Sequence, residues 1–251
     1  MKPTIFPVLR YADARAAIDW LIQAFGFQKV CEHEGPSGTV AHAELKFGPS
    51  TIGLSSATPP TADNPWSHVR QGIYVCQQNI DAHYERAKKA GADIIMPIRD
   101  MEYGSREYGA RDSEGHLWGF GTYDMGRGEG QPTLFPEVHY DDPRRGLMFL
   151  TDAFGFTKTL EVPSPTGSLV HAELKLGDGI VFVGTFPQEG EWKGLRELVC
   201  AYVDDVDQHY LRAKAGGAVA KAPQNTPFGA QQYAAKDPEG VTWLFGTYRP
   251  Q

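Results

Sequence analysis

The string His-Ala-Glu-Leu-Lys occurs twice, at 42–46 and again at 171–175. A histidine and a glutamate two residues apart on a strand share a face, and those residue types can take and return a proton near neutral pH. Strand alternation sends His42, Glu44 and Lys46 to one side and Ala41, Ala43, Leu45 and Phe47 to the other. The same spacing pairs His171 with Glu173 in the second copy. Such a face is either a working site or the wet side of a sheet, and the residues alone leave both open.

A second set of candidates lies in EYGSREYGARD, 102–112, where Tyr103, Arg106 and Tyr108 have Phe228, Gln231 and Tyr233 as counterparts further along. Aromatic walls carrying a few directed polar groups suit a planar or amphiphilic organic ligand, although packing accounts for them nearly as well. Trp118 and Trp243 read as core indoles. Trp66 and Trp192 stand in connecting segments, where they either close over a site or staple a crossover. Cys31, Cys76 and Cys200 are scattered and lack CxxC spacing, so they read as small apolar side chains in a reducing compartment.

The elements that must carry these residues are written out twice. Residues 4–27 and 133–156 agree at eleven of twenty-four positions, TIFPVLRYADARAAIDWLIQAFGF against TLFPEVHYDDPRRGLMFLTDAFGF. The match continues through VAHAELKFG and VHAELKLG, and through DSEGHLWGFGTY and DPEGVTWLFGTY. An internal repeat of this length means two homologous domains, expected at 1–125 and 133–251 with a Gly-rich linker at 126–132. Within the first, periodicity predicts a strand at Ile5–Tyr11 and a helix at Asp13–Phe25, capped by Asp13 and stopped by Gly26. Strands follow near 28–33, 39–47 and 51–55, and the order then recurs: a strand at 72–76, a helix at 80–90 and strands near 94–98, 107–112 and 116–123. Each half is therefore βαβββ twice over.

This order, together with YADARAAIDWLIQAFGF, HAELKFG and the closing D-x-E-G-x-x-W, resembles the vicinal-oxygen-chelate superfamily, which includes glyoxalases, bleomycin resistance proteins and extradiol dioxygenases. The resemblance implies an α+β fold: two tandem glyoxalase-like domains, four βαβββ modules and two U-shaped clefts. The segments joining modules, 57–66 and 186–196, can each span up to about 33 Å. Clefts shared between the halves are therefore favoured, with clefts inside each half as the alternative.

The superfamily's metal enzymes hold a divalent ion through one residue on the first strand, one on the fourth, one opening the second module and one on its last strand. Carried over by position, these places fall on Phe6 and Phe135, on Glu44 and Glu173, near Gly72 and Leu198, and on Gly119 and Leu244. A single carboxylate does not hold an ion where about three donors are needed, so no metal or other cofactor is expected. Glu137, His139 and Glu197 lie close enough to these places to leave a divalent metal as the alternative. The resemblance also puts His42, Glu44, His171 and Glu173 in the clefts, with Phe6 and Phe135 filling the ion's space, while Tyr103, Arg106, Tyr108 and Phe228 stand at the rim.

The expected function is a small-molecule binding protein that sequesters a planar or aromatic ligand. The alternatives are a metal-dependent lyase, isomerase or dioxygenase, and a metal-free enzyme with Glu44 or Glu173 as base. A net charge of -7 with no basic run argues against nucleic acid. No apolar window of signal-peptide or membrane-span length occurs. A cytoplasmic protein is expected, monomeric because duplication supplies the partner module, with a homodimer as the alternative.

Overall fold

The computed structural model describes residues 3–59, 69–124, 130–185, 189–193, 195 and 197–251. Trp66 and part of the expected linker lie outside them. The first module is β1 (Ile5–Tyr11), α1 (Ala14–Phe25), β2 (Gln28–Glu34), β3 (Val40–Phe47) and β4 (Ser50–Ser56). The second is β5 (Gly72–Cys76), α2 (Ile80–Lys89), β6 (Asp93–Asp100), β7 (Arg106–Arg111) and β8 (Leu117–Gly121). The third is β9 (Leu134–Tyr140), α3 (Pro143–Asp152), β10 (Thr157–Pro163), β11 (Leu169–Leu176) and β12 (Gly179–Thr185). In the fourth, β13 (Leu198–Tyr202) and α4 (Val206–Ala215) precede β14 (Val219–Ala220), β15 (Gln224–Asn225), β16 (Gln231–Lys236) and β17 (Thr242–Gly246).

Local chemistry sets the helix ends. The Asp13 carboxylate accepts from Ala16 N at 3.0 Å, satisfying one orphan amide of α1. Gly26, at φ 83°, takes the left-handed turn that stops the helix. One stripe of α1, formed by Ala14, Ala17, Ile18, Leu21, Ala24 and Phe25, is buried.

The sheets cross the halves. One runs β14-β16-β17-β13-β1-β4-β3-β2 and joins the fourth module to the first; the other runs β10-β11-β12-β9-β5-β8-β7-β6 and joins the third to the second. The seams are antiparallel, with Phe6 opposite Cys200 and Phe135 opposite Tyr74. The apolar cores are instead each built almost wholly from one half, with Ile5 reaching into the second and Leu134 into the first. Leu21, Phe25, Tyr108, Trp118 and Phe120 pack together in the first, and Leu150, Phe154, Tyr233, Trp243 and Phe245 in the second. Each half is held by its core and each sheet by its seam, so the modules form a closed arrangement.

The repeated D-x-E-G-x-x-W motif is the bolt within each half. Asp112 Oδ2 accepts from Tyr11 Oη at 2.7 Å and from the Trp118 indole at 3.1 Å. Asp237 does the same with Tyr140 at 2.6 Å and Trp243 at 3.0 Å. Glu114 reaches back to Ala12 N and Asp13 N, and Glu239 to Asp141 N and Asp142 N. The two indoles are fully buried on the helix side, as alternation required.

Candidate functional site: two clefts of unequal chemistry

On the face turned away from the helices, an open sheet would leave its side chains wet. Here Tyr74, Phe135, Ile180 and Phe182 are buried together on that face of the second sheet, and Phe6, Leu198 and Cys200 on the first. Both phenylalanines thus lie on cleft floors, apart from the helix cores.

The cleft of the second sheet, the second cleft, is built largely by β9. Val138 and Tyr140 point to the core, so Phe135, Glu137 and His139 point the other way. The Phe135 and Phe182 rings lie parallel within 6° with centroids 4.8 Å apart. Tyr74 leans on Phe182 at 5.5 Å, and the His171 ring meets the same phenyl edge-on at 4.9 Å.

Acid groups surround this floor. Tyr74 Oη donates to Glu107 Oε1 at 3.3 Å and accepts from Tyr123 N at 3.1 Å. Tyr123 Oη donates to Glu173 Oε1 at 2.7 Å. His139 Nδ1 pairs with Glu197 Oε1 at 3.1 Å. Burial pushes the Glu137 carboxyl up to about 7, with help from the Glu107 and Glu197 charges and against those of His139 and His171. For His139, burial pulls downward, but the bond to Glu197 and the charge of Glu137 outweigh it and raise the imidazole above its ordinary value. The carboxyl therefore exchanges its proton near neutral pH, and the imidazole beside it holds its own more tightly than an ordinary histidine.

The first cleft has a different floor. Phe6, Leu198 and Cys200 pack with Val8, Val69, Leu244 and Tyr248. At its edge the fully buried Glu44 binds the Tyr248 hydroxyl through Oε1 and accepts from Gln251 N at 2.9 Å through Oε2. The same hydroxyl lies 2.9 Å from His42 Nε2, which is 3.3 Å from Glu44 Oε1. Phe228 stands at the rim, exposed, against the edge of Tyr248.

The expected residues are thus brought together in two groups: Phe6, His42, Glu44 and Phe228 on the first cleft, and Phe135, His171, Glu173 and Tyr103 on the second. Tyr103 is an exposed rim residue facing Tyr123 at 6.4 Å and standing beside Glu107. Arg106 and Tyr108 do not join it. Arg106 reaches Asp81 of α2 at 2.8 Å, and the buried Tyr108 hydroxyl bonds His83 Nδ1 at 2.6 Å, also on α2. One residue of alternation separates them from the cleft, and Glu107 between them takes the inward position. Tyr233, its counterpart, is likewise core, bonded to His209 of α4.

The ion positions need correction too. Glu44 and Glu173 lie on the third strands of their modules, β3 and β11, not the fourth. Their fourth-strand register partners are Gly53 and Phe182. The four places then read Phe6, Gly53, Leu198 and Leu244 in the first cleft, and Phe135, Phe182, Gly72 and Gly119 in the second. None of these side chains carries an oxygen, nitrogen or sulfur donor, so they do not fit the superfamily's metal at its usual position. In the second cleft, protein fills the space: a Cβ on Gly72 would fall 2.9 Å from Leu195 Cδ1 and 3.0 Å from Trp192 Cζ3. A Cβ on Gly119 would stand 3.4 Å from Tyr74 Cδ2 and 3.9 Å from Glu137 Oε1.

Comparison with known proteins agrees with this architecture. The family model for the Glyoxalase/Bleomycin resistance protein/Dioxygenase superfamily matches residues 5–120 and 136–245. The chain belongs to this superfamily. An uncharacterized protein of Mycobacterium bovis is 29% identical over 127 residues, covering 48% of this chain and 84% of that one. Glyoxalase I from Zea mays superposes with a TM-score of 0.78 at 16% identity over 98% of this chain and 92% of its own. A putative dioxygenase from Bacillus subtilis gives 0.61 at 12% identity, over 96% and 83%. At such identities the structural likeness is one of fold.

Residues that sequence reading missed as cleft residues include Tyr74, Glu107, Tyr123 and Phe182. Strand alternation carried the signal: counting by twos from Phe135 reaches Glu137 and His139, and Glu107 sits between two neighbours turned to the helix side. The cross-strand partner Phe182 had no such signal.

Proposed function

We propose that the chain is a binding protein that takes a planar aromatic organic molecule in its second cleft, without a metal ion at the superfamily's usual position. The observation that carries this reading is the parallel Phe135–Phe182 pair, walled by Tyr74, Tyr123 and Trp192 where ion-holding side chains would stand. Flat apolar floors bind flat rings by area and stacking. Glu107, Glu137, Glu173 and Glu197 around the floor favour a ligand bearing an amine or other hydrogen-bond donor over a carboxylate.

The test is calorimetric titration with acridine-type and naphthylamine-type compounds, each beside its carboxylate analogue. Saturable binding is expected for the amines, weakened at least about tenfold by Phe182→Ala and unchanged by Phe6→Ala. Binding lost through Phe6→Ala, or absent from the whole panel, would sink the reading.

A second reading rests on the Glu137 carboxyl, held near 7 beside His139. A group so placed is suited to remove and return a proton on a bound carbon acid, which would make the protein a metal-free isomerase. Deuterium uptake from solvent into a bound substrate, abolished by Glu137→Gln, is its signature. A soluble cytoplasmic monomer completes the proposal. Three free cysteines and a module pairing satisfied within one chain support it, and light scattering checks the mass. Among the described residues no helix is long and apolar enough to cross a membrane.

A further inference from the structure

The two copies of the His-Glu pair share one scaffold and differ beside it. In each, a tyrosine following the last strand of the paired module binds the glutamate: Tyr248 to Glu44, and Tyr123 to Glu173. That shared part needs no ligand to explain it. What differs is the neighbouring strand. Opposite Glu44 stands Cys31 and opposite His42 stands His33, whereas Leu160 and Val162 stand opposite Glu173 and His171.

We propose that Cys31, His33, His42 and Glu44 form a binding site for a zinc-class divalent cation at the edge of the first cleft. It is distinct from the superfamily's ion position, and it stands independently of the ligand reading for the second cleft.

The geometry is that of a two-by-two grid on adjacent strands. Cross-strand partners project to the same face of a sheet, so the two pairs present sulfur, two imidazoles and a carboxylate to one space. A bulge between Lys29 and Cys31 brings Cys31, in place of Val30, opposite Glu44. Ligand atoms of Cys31, His42 and Glu44 already lie within 4.8 Å of one another. Tetrahedral zinc asks for roughly 3.3–3.8 Å between donors, given bonds of about 2.0–2.3 Å, so side-chain rotation closes the difference. The His33 ring stacks over that of His42 with centroids 6.2 Å apart and 19° between planes, within reach of a fourth position.

The chemistry of the set selects the cation. One thiolate, two imidazoles and one carboxylate are borderline donors that suit Zn(II), and Co(II) as its spectroscopic substitute, over Mg(II) or Ca(II). Burial and the nearby Glu44 charge hold the Cys31 thiol above its ordinary value in the ion-free chain. A divalent cation removes both penalties by pairing with thiolate and carboxylate, releasing the thiol proton. The Tyr248 hydroxyl, now touching His42 Nε2 and Glu44 Oε1, occupies the coordination space and must turn aside or join the ligand set.

The experiment is titration of chelator-treated full-length protein with Co(II). The expected result is one equivalent bound with micromolar or tighter Kd and a near-ultraviolet thiolate-to-cobalt band. Cys31→Ser should abolish the band, and His33→Val should weaken binding at least about tenfold, while Cys76→Ser and Cys200→Ser leave both unchanged. The double variant Leu160→Cys, Val162→His copies the grid into the second half and should take a second equivalent with the urea midpoint of the parent chain kept. A band that survives Cys31→Ser, no stoichiometric binding, or a double variant still limited to one equivalent would each overturn the proposal. None of these measurements touches Phe182, so failure here leaves the ligand reading of the second cleft standing.

Discussion

The first and second clefts descend from one repeated sequence and have kept their frame while exchanging their floors. Both retain a phenylalanine on the seam strand, Phe6 or Phe135, and the bolt of Tyr, Asp and Trp behind it. Two and four residues past that phenylalanine, however, Val8 and Arg10 answer Glu137 and His139. Gln71 answers Glu197 and spends its amide on the Val8 and Leu198 carbonyls at 2.9 and 2.8 Å. Cys200 answers Tyr74, Gln232 answers Glu107 and Gly53 answers Phe182. The second cleft thus gathers ionisable groups against stacked rings, while the first puts apolar and neutral side chains in their place everywhere but at Arg10. Buried positions facing the helices resist change because each is fitted into a packed core. Positions facing a cleft have space beside them and can change chemistry without unfolding the domain.

If the frame is truly common, breaking it should cost the same in either half. Asp112→Ala and Asp237→Ala each orphan a buried tyrosine hydroxyl and a buried indole N–H. Each should lower stability by about 3–5 kcal/mol, read from the urea midpoint, and a difference above about 1 kcal/mol between them would contradict the equivalence.

A smaller effect should separate the clefts. Gly72→Ala drives a methyl into Leu195 and Trp192, a loss of about 1–3 kcal/mol, whereas Leu198→Ala at the matching place in the first cleft opens a cavity instead. Iodide quenching of tryptophan fluorescence should rise only for Gly72→Ala, since only that substitution displaces Trp192.

The pH dependence sharpens the contrast further. Glu137 rises from 4.5 to about 7 on folding, so the folded chain holds this proton more tightly than the unfolded one. Its contribution is most favourable below about 4.5 and is lost as pH rises towards 7, by about 1–3 kcal/mol. His139, also raised, acts with the same sign: its contribution is present below 6.5 and is lost as pH climbs through the folded value. Glu137→Gln should flatten the stability profile between pH 5 and pH 7, roughly the span of its titration. Denaturation curves at several pH values decide it, and an unchanged slope would remove Glu137 as its source.

The smallest effect concerns the helix caps. Asp205 accepts from Gln208 N at 2.9 Å, whereas Asn79, at the matching N-cap of α2, makes no side-chain capping bond. Asp205→Ala should cost about 1 kcal/mol and Asn79→Ala only a few tenths. Thermal midpoints measured side by side would show whether the second half depends more on its cap.

Much of this architecture was legible in the residues. The strand Ile5–Tyr11 and the helix stopped at Gly26 stand where periodicity and capping placed them, because both follow from neighbours within a few positions. The core location of Trp118 and Trp243 followed from alternation. The same rule, applied without a firm register, misassigned Arg106 and Tyr108, for a shift of one residue reverses every side chain on a strand. The placing of Glu44 on the fourth strand is a different slip: the strand expected at 39–47 is already the third of its module, so that correction was legible in the sequence.

By itself the sequence determined the duplication, the βαβββ order of its modules apart from the break of one strand of the fourth into β14 and β15, their caps and turns, and the apolar faces that would build two cores, since these are short-range properties of pattern and propensity. Only the tertiary structure decided that the sheets would cross the halves, that Phe182 would stack on Phe135 from another strand, and that Cys31 and His33 would meet Glu44 and His42. Those are contacts between segments distant in the chain or set by a bulge, and register and seam pairing arise from how whole modules pack.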